Sequence, residues 1–403
     1  FFVQDVDALG GSERQALRLA RALAARGARP TIFSCVDDLA PRRWLGAAWP
    51  EDAAGVRVHR LPRPAFEPLA TAALRRRPER ADAIYGVGLM MGAIAARVGR
   101  LSGVPVAVKL AGAGATGDVA ALEALPPRLR REVLADLSQT TLVCPTAAIE
   151  AEARAAGFPP QILVRVPNGV DAAALRGEAP VRPPEAGDDP FVLFAGRLQR
   201  VKGLDVLLDA FARLSPPVRL LVAGEGPEET ALRTAVLTRH LEERVHFLGR
   251  RDDVAGLMRE AAALCLPSRC EGLSNTLLEA LAVGVPVVAS DLPGTREVTG
   301  DEAALLVPPE DPAALAAALE RVLGDAPLAA RLTTAARQRV RGYSLAEVAE
   351  RTRDLLSARN ALGPRPGPLR WAGRFAAARG RELLRRLEGR RARGARAPRV
   401  QPA

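Results

Sequence analysis

Two glutamates, Glu271 and Glu279, lie in the stretch CEGLSNTLLEALAVGVPVVASDLPGTREV, residues 270–298. Its apolar periodicity predicts a helix starting near Ser274 or Asn275, either of which can cap it. Glu271 then falls in the loop after a strand, and Glu279 a turn or more into the helix. A helix N-terminus offers unpaired N–H groups and a positive dipole end to a phosphate. Glu271, ahead of the helix, can accept hydrogen bonds from sugar hydroxyls. Glu279, inside it, can accept from a ribose diol. One helix start thus has the groups to read ribose, phosphate and sugar together. Spacing alone does not separate this pattern from two solvated glutamates beside a helix.

A second stretch, AGRLQRVKG at residues 195–203, follows a strand and precedes a helix. Arg197 and Lys202 would sit at the C-terminal edge of a parallel strand, where ligands bind in such sheets. Two cations suit a diphosphate whose departure builds negative charge. Of the 57 basic residues only Lys109 and Lys202 are lysines. An Arg-biased chain that keeps a lysine points to a place for a compact ammonium, unless the lysine survived by chance. A third stretch is Gly10-Gly11, between the first strand and the first helix, where glycine lets the backbone approach a ligand.

Other patterns weigh less. AGAGATG carries the spacing G-x-G-x-x-G through Gly112, Gly114 and Gly117, with Asp136 downstream. That dinucleotide fingerprint belongs after the first strand of a domain, and this strand comes late. A mobile acceptor loop fits the position better. Asp5-Val6-Asp7 has the form of a metal-binding D-x-D and is taken as chance. Cys35, Cys144, Cys265 and Cys270 form no C-x-x-C pair, and with three histidines no zinc spacing exists. The cysteines are expected to be reduced. There is no P-loop, no G-x-S-x-G and no calcium loop.

These motifs need elements to hold them. In the first half, strands are predicted at FFVQ, PTIFSC, VRVHRL, ADAIYGV, VPVAVKL and TTLVCP. The first helix, SERQALRLARALAARG, is given a Ser12/Gln15 capping box and a stop at Gly27. Residues 172–190, rich in Ala, Pro, Gly and acids, read as a linker. Alternation restarts with FVLFAG, VRLLVAG, VHFLG, ALCLP, VPVVAS and ALLV. Strands separated by helices imply parallel sheets with right-handed crossovers. The fold class is therefore α/β, two Rossmann-like doubly wound domains facing across a cleft. The expected division is an acceptor domain over 1–171, a donor domain over 190–341, a helix over 342–360 returning to the first domain, and a basic tail over 361–403. FFVQ reads as a strand from its first residue, so the natural N-terminus is expected to be missing.

Taken together, the motifs resemble the retaining GT-B glycosyltransferases of glycosyltransferase family 4. The resemblance runs from FFVQDVDALGGSER through PNGVD, AGRLQRVKGLDVLLDAF, LLVAGEGP and FLGRRDDV to LPSRCEGLSNTLLEALAVGVPVVASDLPGTREV. It implies a UDP- or GDP-sugar donor, no metal and no cofactor. It places Arg197 and Lys202 on the donor diphosphate, Glu279 on the ribose and Glu271 on the transferred sugar. Gly10, Gly11, Leu273, Ser274 and Asn275 would complete the donor site, with the Gly249–Arg250 loop near the base. The implied chemistry retains anomeric configuration, the leaving phosphate assisting deprotonation of the acceptor. The chain departs from the pattern where many relatives carry a His after the strand VPVAVKLAG, since Ala111 stands there. Lys109, Gly112 and Asp118 are the candidates for acceptor or donor-sugar contacts at that edge. Ala262 replaces an Asp common in relatives and is read as structural.

Hydrophobic residues make up 48% of the 403, enough for a real core in each half. Residues 359–403 hold 13 Arg and two Glu, which accounts for the whole net charge of +11. The basic character therefore describes a tail and not a nucleic-acid-binding body. That tail is a candidate for docking on an anionic membrane surface, with the enzyme cytoplasmic and peripheral at the inner face of the membrane. The expected reaction moves a hexosyl unit to a cell-envelope, lipid-linked or polysaccharide acceptor. A nucleotide-sugar epimerase on the same fold and a non-catalytic sugar-nucleotide-binding protein remain as alternatives.

Overall fold

The computed structural model describes residues 1–4, 10–36, 55–76 and 81–360. The Asp5-Val6-Asp7 motif and the basic tail lie outside the described residues. Thirteen strands form among those described. β1 (Phe2–Val3), β2 (Thr31–Val36), β3 (Arg57–Pro62), β4 (Ile84–Val87), β5 (Val106–Lys109), β6 (Thr141–Cys144) and β7 (Leu163–Arg165) make one sheet. β8 (Phe191–Ala195), β9 (Arg219–Ala223), β10 (Val245–Gly249), β11 (Ala263–Leu266), β12 (Val287–Ser290) and β13 (Leu305–Val307) make the other.

All pairings within both sheets are parallel. The orders are β3-β2-β1-β4-β5-β6-β7 and β10-β9-β8-β11-β12-β13. Each is the doubly wound Rossmann order, with the direction of winding reversing between β1 and β4 and between β8 and β11. Parallel strands covered by helices on both faces must be apolar throughout. Accordingly β4, β6, β8, β11 and β12 are buried at every residue. Alternate side chains feed opposite faces: Phe191, Leu193 and Ala195 enter one cluster, Val192 and Phe194 the other. β7 has no counterpart in the sequence reading, because three residues show no usable period.

Two local expectations are corrected. The first helix begins at Gly11, with Gly10 as N-cap and no side-chain cap, so the Ser12/Gln15 box does not form. Gln15 is buried and donates instead to the Gly169 carbonyl at 3.1 Å. The stretch 172–190 is no free linker. It holds a helix, Ala172–Gly177, and buries Leu175 and Ala186 in the core of the second sheet. Its small apolar residues do packing that their flanking Pro and Gly obscured.

The chain passes between the domains twice, and the two passages lie side by side. Val170 N–H donates to the Tyr343 carbonyl at 2.8 Å, and Leu345 N–H to the Val170 carbonyl at 3.0 Å. Helix Leu345–Asn360 then lies on helix Gly11–Ala24. Its Val348 and Ala349 pack with Val3, Leu19 and Ala20 in the core of the first sheet. No helix among the described residues is long and apolar enough to cross a membrane.

Candidate active site between the two sheets

The loops leaving the C-terminal ends of the two sheets face one another. In the second domain, the loop after β8 rests on the loop after β11. Gly203 has a φ of +67°, and a Cβ there would lie 2.0 Å from the Pro267 carbonyl oxygen. Only glycine meets both demands without strain. Arg269 straps the same loops together. Its backbone N–H donates to the Val201 carbonyl, and its guanidinium donates to the Arg200 carbonyl, to both oxygens of Asp205 and to Glu310. Burial would raise the Asp205 carboxyl, but the Arg269 hydrogen bonds and charge outweigh it and hold the group below its ordinary value.

This scaffold positions the two cations. Arg197, just past β8, is exposed, and its guanidinium has no partner among the described residues. Lys202 ends the short turn Arg200–Lys202 and forms an ion pair with Glu271. Glu271 also lies 3.4 Å from the Ser268 hydroxyl, which donates to it. The group predicted for the diphosphate therefore touches the group predicted for the sugar. Leu273 is buried, and Ser274 is the N-cap of helix Asn275–Val283, accepting from the Leu277 N–H. Asn275 does not cap. Its side chain donates to the Gly11 carbonyl at 2.7 Å and accepts from Asn168 at 2.8 Å. The N-termini of helices Gly11–Ala24 and Asn275–Val283 are thereby brought together from opposite domains, which concentrates positive dipole ends in the cleft. Glu279, in the second turn, receives a hydrogen bond from Arg18 of the first domain at 2.5 Å. Farther along, Gly249 adopts a φ of +64°, and the exposed Arg250 donates its N–H to Glu225 at 3.3 Å.

The edge that follows β5 is held by internal bonds. Asp118 does not present a free carboxylate. One oxygen accepts from Leu89 N–H, at the start of helix Leu89–Ser102, and the other from Ala111 N–H. Burial pushes this carboxyl up to about 6, against the lowering effect of those two N–H groups. Lys109 ends β5, only 6% exposed, and donates to the Asn168 side chain. Burial pushes its amine down to about 7. Both polar groups are thus engaged in internal hydrogen bonds. Gly112 lies against Gly272 of the facing loop, where a Cβ would come 2.9 Å from the Gly112 backbone. Cys270 beside it donates to the Ala113 carbonyl. The G-x-G-x-x-G lookalike is therefore a packing surface between domains. Its Asp136 is paired with Arg97 and Arg100.

Several residues of this seam were not found from sequence. Asn168 ties Lys109 to the Leu273 carbonyl and to Asn275. Glu297, on helix Pro293–Thr299, accepts from Ala147 N–H at 2.7 Å and pairs with Arg165 of the first domain. Arg14 comes within 3.9 Å of Asp252. Asn168 sits inside PNGVD, which was a signal; Arg18 and Glu297 carried none. Among the described residues no three His, Cys, Asp or Glu side chains gather to hold a metal ion. Cys35, Cys144 and Cys265 are buried, and Cys270 is half-buried.

Comparison with known proteins agrees across both halves. The model of the glycosyl transferases group 1 family matches residues 176–339, and that of a glycosyl transferase 4-like domain matches residues 10–169. The chain belongs to this family of GT-B glycosyltransferases. A phosphatidyl-myo-inositol mannosyltransferase of Mycolicibacterium smegmatis is 38% identical over 188 residues, covering 45% of this chain and 48% of that one. A D-inositol 3-phosphate glycosyltransferase of Jonesia denitrificans is 34% identical over 172 residues, 40% of this chain and 41% of that one. The chain spans about half the length of the curated relatives it matches. Among solved structures, Anabaena HepE in complex with UDP superposes with a TM-score of 0.72 at 18% identity, over 89% of this chain and 99% of that one. Sucrose-phosphate synthase from Thermosynechococcus elongatus gives 0.75 at 23% identity, over 90% and 99%. These two share the GT-B fold with this chain.

Proposed function

We propose that this chain transfers a hexosyl unit from a nucleotide diphosphate sugar, of UDP or GDP type, to a cell-envelope, lipid-linked or polysaccharide acceptor, with retention of configuration. One observation carries the reading. Arg197 and the Lys202–Glu271 pair lie in the second domain on the loops that also lead to Ser274 and the helix bearing Glu279. A free cation, a second cation joined to a carboxylate, and two convergent helix N-termini match a diphosphate with a sugar on one side and a ribose on the other. Arg197 and Lys202 stabilise the charge that grows on the leaving diphosphate. Glu271 orients the sugar, and Glu279 accepts from the ribose. With positive charge supplied by side chains and helix ends, the reaction runs without a metal. The leaving phosphate takes the acceptor's proton. The relatives named for phosphatidyl-inositol and inositol-phosphate acceptors support an acceptor of the lipid or polyol kind.

The test is a panel of UDP- and GDP-sugars assayed for nucleotide release, with and without EDTA, with the product's anomeric configuration read by NMR. Release from no donor, or activity that EDTA abolishes and added metal restores, would remove the reading in its first or second part. Glu279→Gln should weaken binding of the bare nucleotide, whereas Glu271→Gln should spare it and slow transfer. Calorimetry with UDP and GDP separates the two roles, and equal losses in both variants would contradict them.

A further inference from the structure

One face of helix Gly11–Ala24, turned toward the end of the first domain and toward the second domain, has a regular composition. Gly11 accepts from Asn275, Gln15 donates to Gly169, and Arg18 donates to Glu279. Positions 11, 15 and 18 follow the i, i+4, i+7 spacing of one helical stripe. Opposite, Asn275 and Glu279 are four apart on helix Asn275–Val283 and share a face. The two stripes meet along one seam, first at the helix starts and then, about one turn deeper, at the Arg18–Glu279 pair.

Like Arg14–Asp252 and Arg165–Glu297, this pair joins the two domains, and of these three its carboxylate is the most buried, the Glu279 side chain being only 17% exposed. Arg18 engages Oε1 alone at 2.5 Å, and Glu279 Oε2 has no partner among the described residues. A carboxylate with one oxygen fixed by a guanidinium and the other left open has its plane set and one acceptor to offer. Charge-assisted bonds of this kind fix geometry more firmly than neutral ones.

We infer that Arg18, on the first domain, holds the Glu279 carboxylate in place for the donor ribose, so that nucleotide affinity depends on the two domains being together. Arg18 is a positioning residue acting through Glu279. The inference rests on the assignment of Glu279 to the ribose. The nucleotide is then read by a carboxylate of one domain whose orientation is supplied by the other, which links occupancy of the donor pocket to the contact between the domains.

The experiment is calorimetry of the full chain with UDP and GDP and with their 2′,3′-dideoxy counterparts, which lack the diol. Wild type should prefer the diol-bearing nucleotide, and Glu279→Gln should erase that preference. Arg18→Met should reduce the preference roughly tenfold while leaving affinity for the dideoxy nucleotide unchanged, which also shows that the variant is folded. Arg18→Lys should recover part of it, since an ammonium keeps the charge but lacks the fixed planar donor of the guanidinium. A preference lost in Glu279→Gln but intact in Arg18→Met would overturn the role of Arg18 alone. Tighter nucleotide binding by Arg18→Met would overturn it too, because Arg18 would then compete with the ribose. No effect of Glu279→Gln on the preference would overturn the ribose assignment, and the role of Arg18 with it.

Discussion

Arg197 and Lys202 hold their charges in different surroundings. Arg197 is exposed and unpartnered among the described residues, whereas Lys202 is neutralised by Glu271. Each supplies positive charge where negative charge grows, so Arg197→Ala and Lys202→Ala should each lower turnover roughly 100-fold or more. Lys202→Arg should also be poor, since a planar fork cannot occupy the place of a compact ammonium beside Glu271. Near-normal nucleotide release by both alanine variants would refute the assignment. Lys109 makes a prediction of a different kind. Its amine falls from 10.5 to about 7 on folding, so between those values the unfolded chain binds the extra proton. Stability from this group therefore rises with pH across that window and is lost as pH falls toward 7. Denaturant melts of wild type and Lys109→Met at pH 7 to 9.5 should show the difference in stability growing in favour of wild type as pH rises. A constant difference would mean that the amine is charged throughout.

At the scale of elements, the donor side depends on one loop lying flush on another. Gly203, in the left-handed region beneath the Pro267 carbonyl, is where that contact is tightest. Gly203→Ala adds both a strained φ and a clash with backbone. The expected loss is on the order of 2–4 kcal/mol, with nucleotide affinity falling as Lys202 and Glu271 move apart. Equilibrium unfolding and calorimetry measure the two effects, and a variant as stable as wild type would show that the loop has room to shift. Ser274, as the actual N-cap, explains why Asn275 is free to reach across to Gly11. Asp118 does for helix Leu89–Ser102 what a local cap would, but from 29 residues away.

For the whole molecule, the arrangement of the domains rests on a hydrogen-bonded seam and on helix Leu345–Asn360. Asn168→Leu would strand the buried Lys109 amine and release the Leu273 carbonyl and Asn275. Small-angle scattering should then give a larger radius than wild type, and transfer should fall more than nucleotide binding. An unchanged scattering profile would place the control of the domain arrangement elsewhere, at Glu297 and Arg165 first of all. Ala349 is fully buried between the helix and the first domain. Ala349→Glu would bury an unpaired charge, a cost of several kcal/mol, and should detach the helix. Limited trypsin digestion should then cut near Arg339 and Arg341, sites that stay protected if the helix remains docked.

The alternation of apolar runs and amphipathic stretches was enough to place twelve of the thirteen strands, because a strand buried on both faces has to be apolar whatever surrounds it. The same local logic brought out Arg197, Lys202, Glu271, Glu279 and the Gly10-Gly11 turn, whose positions follow from where strands end and helices start. What local sequence did not contain was the partner of each group. Gln15 was read as a cap because a capping box is a short-range pattern, yet its bond goes to Gly169. Asp118 was a candidate for ligand contact, and nothing in the sequence singled out Arg18. Each acquired its role from a residue that only the folded chain brings within 3 Å: the main chain at Leu89 and Ala111 for Asp118, Glu279 for Arg18. Burial decides such cases, since a polar group removed from water must find a partner wherever the packing of two domains provides one.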